Sequence, residues 1–235
     1  MAGRVRVDGR PLTKPGTTVA VDAKLEIERP RPFVSRGGEK LAAALDAFRL
    51  DPAGLRALDI GASTGGFTDC LLRRGVAHVV AVDVGYGQIA VGLRDDPRVT
   101  VLERTNFRTL PDDAFPGGFD LIVADVSFIS LTTILRRAAR YLREDGIIVA
   151  LLKPQFEAGR HRLGGGGVVR DPQTHRAIWH EFLYAMQALG LGVASAIVSP
   201  LRGPAGNVEF LARIERGPHG IGENDIERLV EEAHR

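Results

Sequence analysis

The 235-residue chain reads as an α/β protein, an open and mostly parallel sheet with helices on both faces. Three observations carry that reading. Short, nearly all-apolar runs of strand length alternate with segments of helical period, the pattern of βαβ units whose strands are buried on both sides. The first clear strand, Leu55 to Ile60, runs into Gly61-Ala62-Ser63-Thr64-Gly65-Gly66 and then into Phe67, Cys70, Leu71 and Leu72 at helical spacing: strand, glycine turn, helix. Two later strands end in acids, Asp83 and Asp125, where parallel sheets place ligands, beyond the carboxyl ends of their strands.

The elements follow in order. Residues 1–31 suggest short β structure, with Val5 and Val7 before the turn Asp8-Gly9, then Val19, Val21, Leu25 and Ile27 after Pro15-Gly16. About thirty residues cannot bury a core alone. Arg29-Pro30-Arg31-Pro32 has the composition of a stiff linker, dividing residues 1–31 from a domain of residues 32–235. Ser35 is the expected N-cap of a helix over Arg36 to Arg49, with Leu41, Ala44, Leu45 and Phe48 as its apolar stripe. His78 to Asp83 is a second buried strand, Ile89 to Arg94 a helix, and Val99 to Glu103 a short strand. Asn106, after it, suits either an adenine edge or an ordinary turn. Phe119 to Asp125 is the clearest buried strand, followed by a helix over Leu131 to Arg143 that stops at Asp145-Gly146. Gly146 to Pro154 is a fifth, almost wholly apolar strand with Lys153 at its end. Gln155 to Arg170, with four consecutive glycines at Gly164 to Gly167, reads as a mobile loop near the site. Asp171 caps, and Pro172 opens, a helix bearing Ile178, Phe182, Met186 and Leu189. Strands over Leu191 to Ser199 and Asn207 to Ile214 and an amphipathic helix over Asn224 to His234 complete the chain.

Composition bounds function. Apolar residues make up 44% and charged residues 26%, ordinary for a globular domain. With no apolar run long enough to span a bilayer and no signal peptide, the chain is expected to be soluble and cytoplasmic. The lone Cys70 can form neither an internal disulfide nor a zinc cluster, and reads as a small buried filler. Thirty-one basic side chains against 29 acidic give a net charge of only +2, so distribution matters more than balance. Arg4, Arg6, Arg10, Lys14, Lys24, Arg29, Arg31, Arg36 and Lys40 crowd the first forty residues. Such a basic segment beside a near-neutral domain is the footprint of phosphate-backbone contact, with a solvated basic face as the alternative.

The glycine turn and Asp83, about twenty residues on, resemble a nucleotide-binding βαβ unit in which the acid holds a ribose hydroxyl. The glycines do not fall as G-x-G-x-x-G, and Asp59 at the strand end makes an anion unwelcome, which disfavours a pyrophosphate of NAD or FAD. D-x-G-x-x-x-G-G resembles instead the S-adenosylmethionine turn of class I methyltransferases. Asp59, Gly61, Ser63, Thr64, Gly65, Gly66, Phe67, Asp83, Val84, Asn106 and Asp125 are then the expected cofactor-binding residues.

Four charged residues sit where burial is costly: Lys40 in the first turns of a helix, where a cation opposes the dipole, Asp125 and Lys153 at strand ends, and Glu209 inside an apolar strand. Two amines and two carboxylates in one cleft offset each other's desolvation. A purely structural ion network is the competing explanation.

Together with Ser35-Arg36-Gly37-Gly38-Glu39-Lys40-Leu41, Ala124-Asp125-Val126-Ser127-Phe128, Leu152-Lys153-Pro154-Gln155-Phe156-Glu157 and Gly206-Asn207-Val208-Glu209-Phe210, the glycine turn resembles the TlyA (haemolysin A) family, within the FtsJ-like ribosomal RNA 2′-O-methyltransferases. The resemblance covers essentially the whole chain. Residues 1–31 resemble the second half of an S4 RNA-binding domain, whose first half is missing here; the other departure is the glycine-heavier Gly164 to Gly167 loop. The resemblance implies a class I methyltransferase fold, S-adenosylmethionine as cofactor, and ribosomal RNA or ribosomal subunits as partner. It also places Lys40, Asp125, Lys153 and Glu209 on a catalytic Lys-Asp-Lys-Glu tetrad. Methylating a ribose 2′-hydroxyl, a weak nucleophile, requires the oxygen held in line and its proton taken by a positioned base. Lys153 is that base by implication, Asp125 and Glu209 orient the amines, and Lys40 stabilises oxyanion charge. Burial and Lys40 favour the neutral amine at Lys153, and the two carboxylates oppose it. A membrane-active haemolysin is the rival from another class; it needs an exposed apolar or amphipathic segment, and the sequence offers only the short acidic terminal helix. A catalytically silent RNA-binding protein is the third reading, and a complete tetrad argues against it.

Overall fold

The structure, a computed structural model, describes residues 5–12, 14, 16–27, 32–159 and 162–235. The chain divides into two compact units, Met1–Pro32 and Phe33–Arg235. In the first, β1 (Val5–Val7), β2 (Arg10–Leu12) and β3 (Leu25–Ile27) form an antiparallel sheet in the order β2-β1-β3. Asp8 and Gly9, both at positive φ (48° and 76°), make the two-residue turn between β1 and β2, as the Asp-Gly pair requires. Val19 and Val21 were expected to be strand and are not: Ala23 N–H bonds back to the Ala20 carbonyl, making a turn that leaves Val21 in solvent. Arg4, Pro15 and most of the 29–32 linker lie outside the described residues.

The second unit is a seven-stranded sheet between two helical layers. Its elements are α1 (Arg36–Ala47), β4 (Arg56–Ile60), α2 (Gly66–Arg73), β5 (His78–Val82), α3 (Val91–Arg94), β6 (Val99–Leu102), β7 (Phe119–Ala124) and α4 (Leu131–Ala138). There follow β8 (Leu142–Leu152), α5 (Pro154–Glu157), α6 (Pro172–Ala188), β9 (Leu191–Val198), β10 (Phe210–Arg216) and α7 (Glu223–Ala233). The strand order is β6-β5-β4-β7-β8-β10-β9, all parallel except β10, which runs against both neighbours. Direction of travel across the sheet reverses between β4 and β7, the position at which open sheets leave a crevice.

Side-chain alternation divides the core in two. Leu58, Ile60, Ile122, Ala150 and Phe210 pack with α4, α6 and α7, whereas Ala57, Val123, Leu151 and Leu211 pack with α1 and α2. The α1–α2 layer is drawn close by glycine. A Cβ on Gly66 would lie 2.1 Å from the Ser35 hydroxyl oxygen, and one on Gly38 2.3 Å from the Phe33 ring. Ser35 occupies the N-cap position of α1 but makes no side-chain cap bond, whereas Asp171 caps α6 as expected, accepting the N–H groups of Gln173 and Thr174.

Three boundaries differ from the sequence reading. The helix expected over Leu131 to Arg143 ends at Ala138, and β8 begins at Leu142, opposite Phe119. The cause is non-local: Tyr141 stacks edge-on against Phe107 and Phe115, and Arg143 bonds Asp120 at 2.6 Å. The expected loop from Gln155 begins as α5, and its end is anchored, with Val168 and Val169 buried and Val169 N–H bonded to Asn207 Oδ1; Arg160 and His161 lie outside the described residues. Glu209 precedes the β10 ladder instead of lying within it.

Gly61, at φ +84°, leaves β4 beneath β7, and a Cβ there would come within 2.5 Å of the Asp125 carbonyl oxygen. Left-handed backbone costs a side chain roughly 1–2 kcal/mol before any clash. Gly61→Ala is therefore expected to lower stability by more than about 2 kcal/mol in urea unfolding.

Candidate active site

Pleat parity brings the charged residues together. Asp125, Lys153 and Glu209 each continue, by two residues, the row of side chains that faces α1 and α2: Val123, Leu151 and Leu211. The β8–β10 register, Phe210 opposite Leu152, extends to place Glu209 opposite Lys153. From α1 comes Lys40. The four form two ion pairs: Lys153 Nζ to Asp125 Oδ1 at 2.6 Å, and Lys40 Nζ to Glu209 Oε2 in a short contact. Lys40, Lys153 and Glu209 are 8%, 9% and 1% exposed, so each charge is offset by its partner and not by water. Gly203 lets the β9–β10 loop close over Glu209, since a Cβ there would sit 2.7 Å from Glu209 Oε1. Lys153 Nζ also donates to the Ser127 hydroxyl at 3.0 Å and lies 5.9 Å from the Phe156 ring centre.

Beside the pairs, at the carboxyl ends of β4, β5 and β7, is a cavity of about 470 Å³. Gly61, Ser63, Asp83, Val84, Asn106 and Asp125 line it, six of the expected cofactor residues. Asp83 is held by two backbone donors, Ser63 N–H and Gly85 N–H, each at 2.7 Å. Ser63 is at φ +49°, a strained conformation for a non-glycine residue that aims its N–H at this carboxylate. Asn106 lines the cavity, and its Oδ1 accepts Arg108 N–H at the start of a 3-10 turn, Phe107–Thr109, the second of the two roles expected for it.

The other expected cofactor residues lie elsewhere. Gly65, at φ +94°, abuts Leu93, and a Cβ on it would fall 2.3 Å from that side chain; Gly66 abuts α1; Phe67 is in the core; Thr64 accepts Ala90 N–H through its carbonyl. Asp59 is fully buried, one oxygen accepting the Thr68 hydroxyl at 2.6 Å and the other unpartnered. Loss of solvation, reinforced by the charges of Asp125 and Asp83 and opposed by Thr68, pushes its carboxyl up to about 7. Ser127 and Gln88 also line the cavity and were not singled out by the sequence reading. Ser127 had a signal available, standing two residues past the acid that ends β7.

The cavity has the size and the apolar walls of a small-molecule site, and one of its two lining carboxylates, Asp83, stands at the end of the second strand, where a ribose hydroxyl is held in nucleotide sites. Those residues fit S-adenosylmethionine. A sheet of this order, with one reversed strand beside its edge and a cleft at the β4–β7 reversal, defines a class I methyltransferase. Residues 33–216 match the FtsJ-like methyltransferase family, and the chain belongs to it. It is 52% identical over 211 residues to the 16S/23S rRNA (cytidine-2′-O)-methyltransferase TlyA of Mycobacterium tuberculosis, covering 89% of this chain and 79% of that one. It is 38% identical over 213 residues to Hemolysin A of Brachyspira hyodysenteriae, covering 90% of this chain and 89% of that one. A solved, hemolysin-named chain from Streptococcus thermophilus superposes with a TM-score of 0.84 at 40% identity, over 100% of this chain and 87% of that one.

Asp59 makes stability pH-dependent in a definite sense. Its pKa is raised from 3.8 to about 7 on folding, so between those values the native state keeps a proton that the unfolded chain has lost. Its contribution to stability therefore falls as pH rises through that window. Asp59→Asn, which retains the bond to Thr68, removes the titration. In denaturant unfolding from pH 4 to 8 the variant is expected to gain on the parent as pH rises.

Proposed function

We propose that the protein transfers the methyl group of S-adenosylmethionine to the 2′-hydroxyl of a ribose in ribosomal RNA, with Lys153 as the base. The observation that carries this reading is the bonding of Lys153. As a free amine it has two N–H bonds and one lone pair. Asp125 and Ser127 accept the two N–H bonds, and the lone pair is left to take the ribose proton. When bound, S-adenosylmethionine supplies an electrophilic methyl on a sulfonium. Asp83 would hold its ribose, and Asp125, which lines the cavity and grips Lys153, links the two halves of the site. Lys40, fixed by Glu209, places a cation near the oxygen as charge develops there. The activity for which the M. tuberculosis relative is named supports ribosomal RNA as the substrate, and that substrate implies a cytoplasmic protein. No helix among the described residues is long and apolar enough to cross a membrane.

The first unit supports RNA contact through exposed Arg10, Lys14 and Lys24, the last paired with Glu26 at 2.9 Å; Arg4, Arg29 and Arg31 lie outside the described residues. Its assignment as part of an S4 domain, with residues 32–235 as the catalytic domain, belongs to this proposal. If its cations meet phosphates, affinity for ribosomal subunits falls steeply with added salt. In filter binding, charge reversal at Arg10 and Lys14 is expected to flatten that slope; an unchanged slope would place the contact elsewhere.

The test of the chemistry is tritiated methyl incorporation into ribosomal RNA, with the product nucleoside identified. Lys153→Ala is expected to lose at least about a hundredfold in rate while calorimetry shows S-adenosylhomocysteine still bound. Asp83→Ala is expected to show the opposite split, weaker cofactor binding by about tenfold or more from one lost hydrogen bond. Parental rates in Lys153→Ala, or a base-methylated product, would refute the mechanism.

A further inference from the structure

Glu157 is a half-buried carboxylate that the chemistry above leaves unused. It ends α5, four residues after Lys153, yet both its oxygens reach α4. Oε2 accepts the Ser130 hydroxyl at 2.7 Å, and Oε1 accepts Leu131 N–H at 2.7 Å. Leu131 opens α4, so that N–H has no partner within the helix, and Ser130, at the N-cap, makes no cap bond with its own side chain. Burial raises the Glu157 carboxyl above its ordinary range, and the bonds to Leu131 and Ser130 oppose that rise. An acid placed here is costly, and its interactions are spent on joining two segments distant in sequence.

Those segments carry the reacting pair. One runs from Asp125 through Ser127 to Ser130, the other from Lys153 through Phe156 to Glu157. They touch at Lys153–Asp125 and Lys153–Ser127, and at the tilted rings of Phe128 and Phe156, whose centres are 5.2 Å apart. Phe128 sits at φ +64° and is 91% exposed, so its strained backbone gains nothing from burial of its ring. The bonds of Glu157 are a cross-connection that uses neither Lys153 nor a solvent-facing ring.

We infer that Glu157 is a positioning residue: by fastening the start of α4 to the end of α5 it sets the spacing of the Asp125–Ser127 and Lys153–Phe156 segments, and so the direction of the Lys153 amine. The inference rests on Lys153 being the base. A clamp of this kind needs hydrogen bonds and no charge. Glutamine can accept Leu131 N–H through its carbonyl and donate to the Ser130 oxygen through its amide, whereas alanine can do neither.

Single-turnover methyl transfer to unmethylated ribosomal subunits, measured beside the Kd for S-adenosylhomocysteine, tests it. Misplacement of a reacting group by a fraction of an ångström to one ångström costs tenfold to a hundredfold in rate, so Glu157→Ala is expected to be at least about tenfold slower. Its Kd is expected to stay within about threefold of the parent, and Glu157→Gln to recover the rate to within about threefold. Ser130→Ala, which keeps the Leu131 bond, is expected to show a smaller loss of rate, and it serves as the test should Glu157→Ala not fold. A parental rate in Glu157→Ala, or in Ser130→Ala should Glu157→Ala not fold, would overturn the inference. So would a Glu157→Gln as slow as Glu157→Ala, or rate and cofactor affinity falling together. Lys153→Ala is run alongside: full activity there refutes the base assignment itself, whereas an inactive Lys153→Ala beside an unimpaired Glu157→Ala refutes only the clamp.

Discussion

The second unit depends on the cost of putting three charges on the helix-covered face of a pleated sheet. Residues 125, 153 and 209 share the parity of Val123, Leu151 and Leu211, so their side chains are directed toward α1 and α2 whatever their chemistry. Two carboxylates and one amine on that face would be left with an excess acid, and Lys40 on α1 balances the count. The docking of α1 is thereby tied to the sheet's charge as well as to its apolar surface. Gly38 and Gly66, where a Cβ would collide with Phe33 and Ser35, permit that approach.

The same strand ends serve two tasks on either side of the β4–β7 reversal. Asp83 holds the loop after β4 in shape through Ser63, and Asp125 both lines the cavity and grips Lys153. Beneath them Asp59 is cut off from water, and that loss of solvation pushes its carboxyl up to about 7. Its place under the turn is structural, bonded to Thr68 of α2.

Much of this was legible because the signals are local. Strand, glycine turn and helix, the Asp171-Pro172 start of α6, and acids at the ends of β5 and β7 all follow from periodicity and capping. What could not be read was set by contacts between distant residues. Helical periodicity continues past Ala138, but Tyr141 is claimed by Phe107 and Phe115 and Leu142 by Phe119, so the chain turns to strand early. The glycine cluster was read as room for a ligand; Gly61 lines the cavity, while Gly65 and Gly66 make room for Leu93 and Ser35. Lys40, Asp125, Lys153 and Glu209 could be singled out as costly to bury, but their division into Lys40–Glu209 and Asp125–Lys153 depends on where the packing of α1 sets Lys40, because the β8–β10 register alone puts Glu209 opposite Lys153.

The reversed strand β10 has a consequence for the order in which the site is assembled. Parallel strands deliver their functional residues as they finish, but β10 delivers Glu209 as it begins, and it does so next to last in the sheet's own order yet last among its strands in the chain. A nascent chain that has already emerged through β8 holds Lys40, Asp125 and Lys153 with one carboxylate too few, and α1 has an amine to bury without its partner. Closing that pair joins residues separated by 169 positions. Contacts of such separation form late in folding because their loop must be closed first. The ion pairs of the site are therefore complete only once β10 has joined the sheet beside β8.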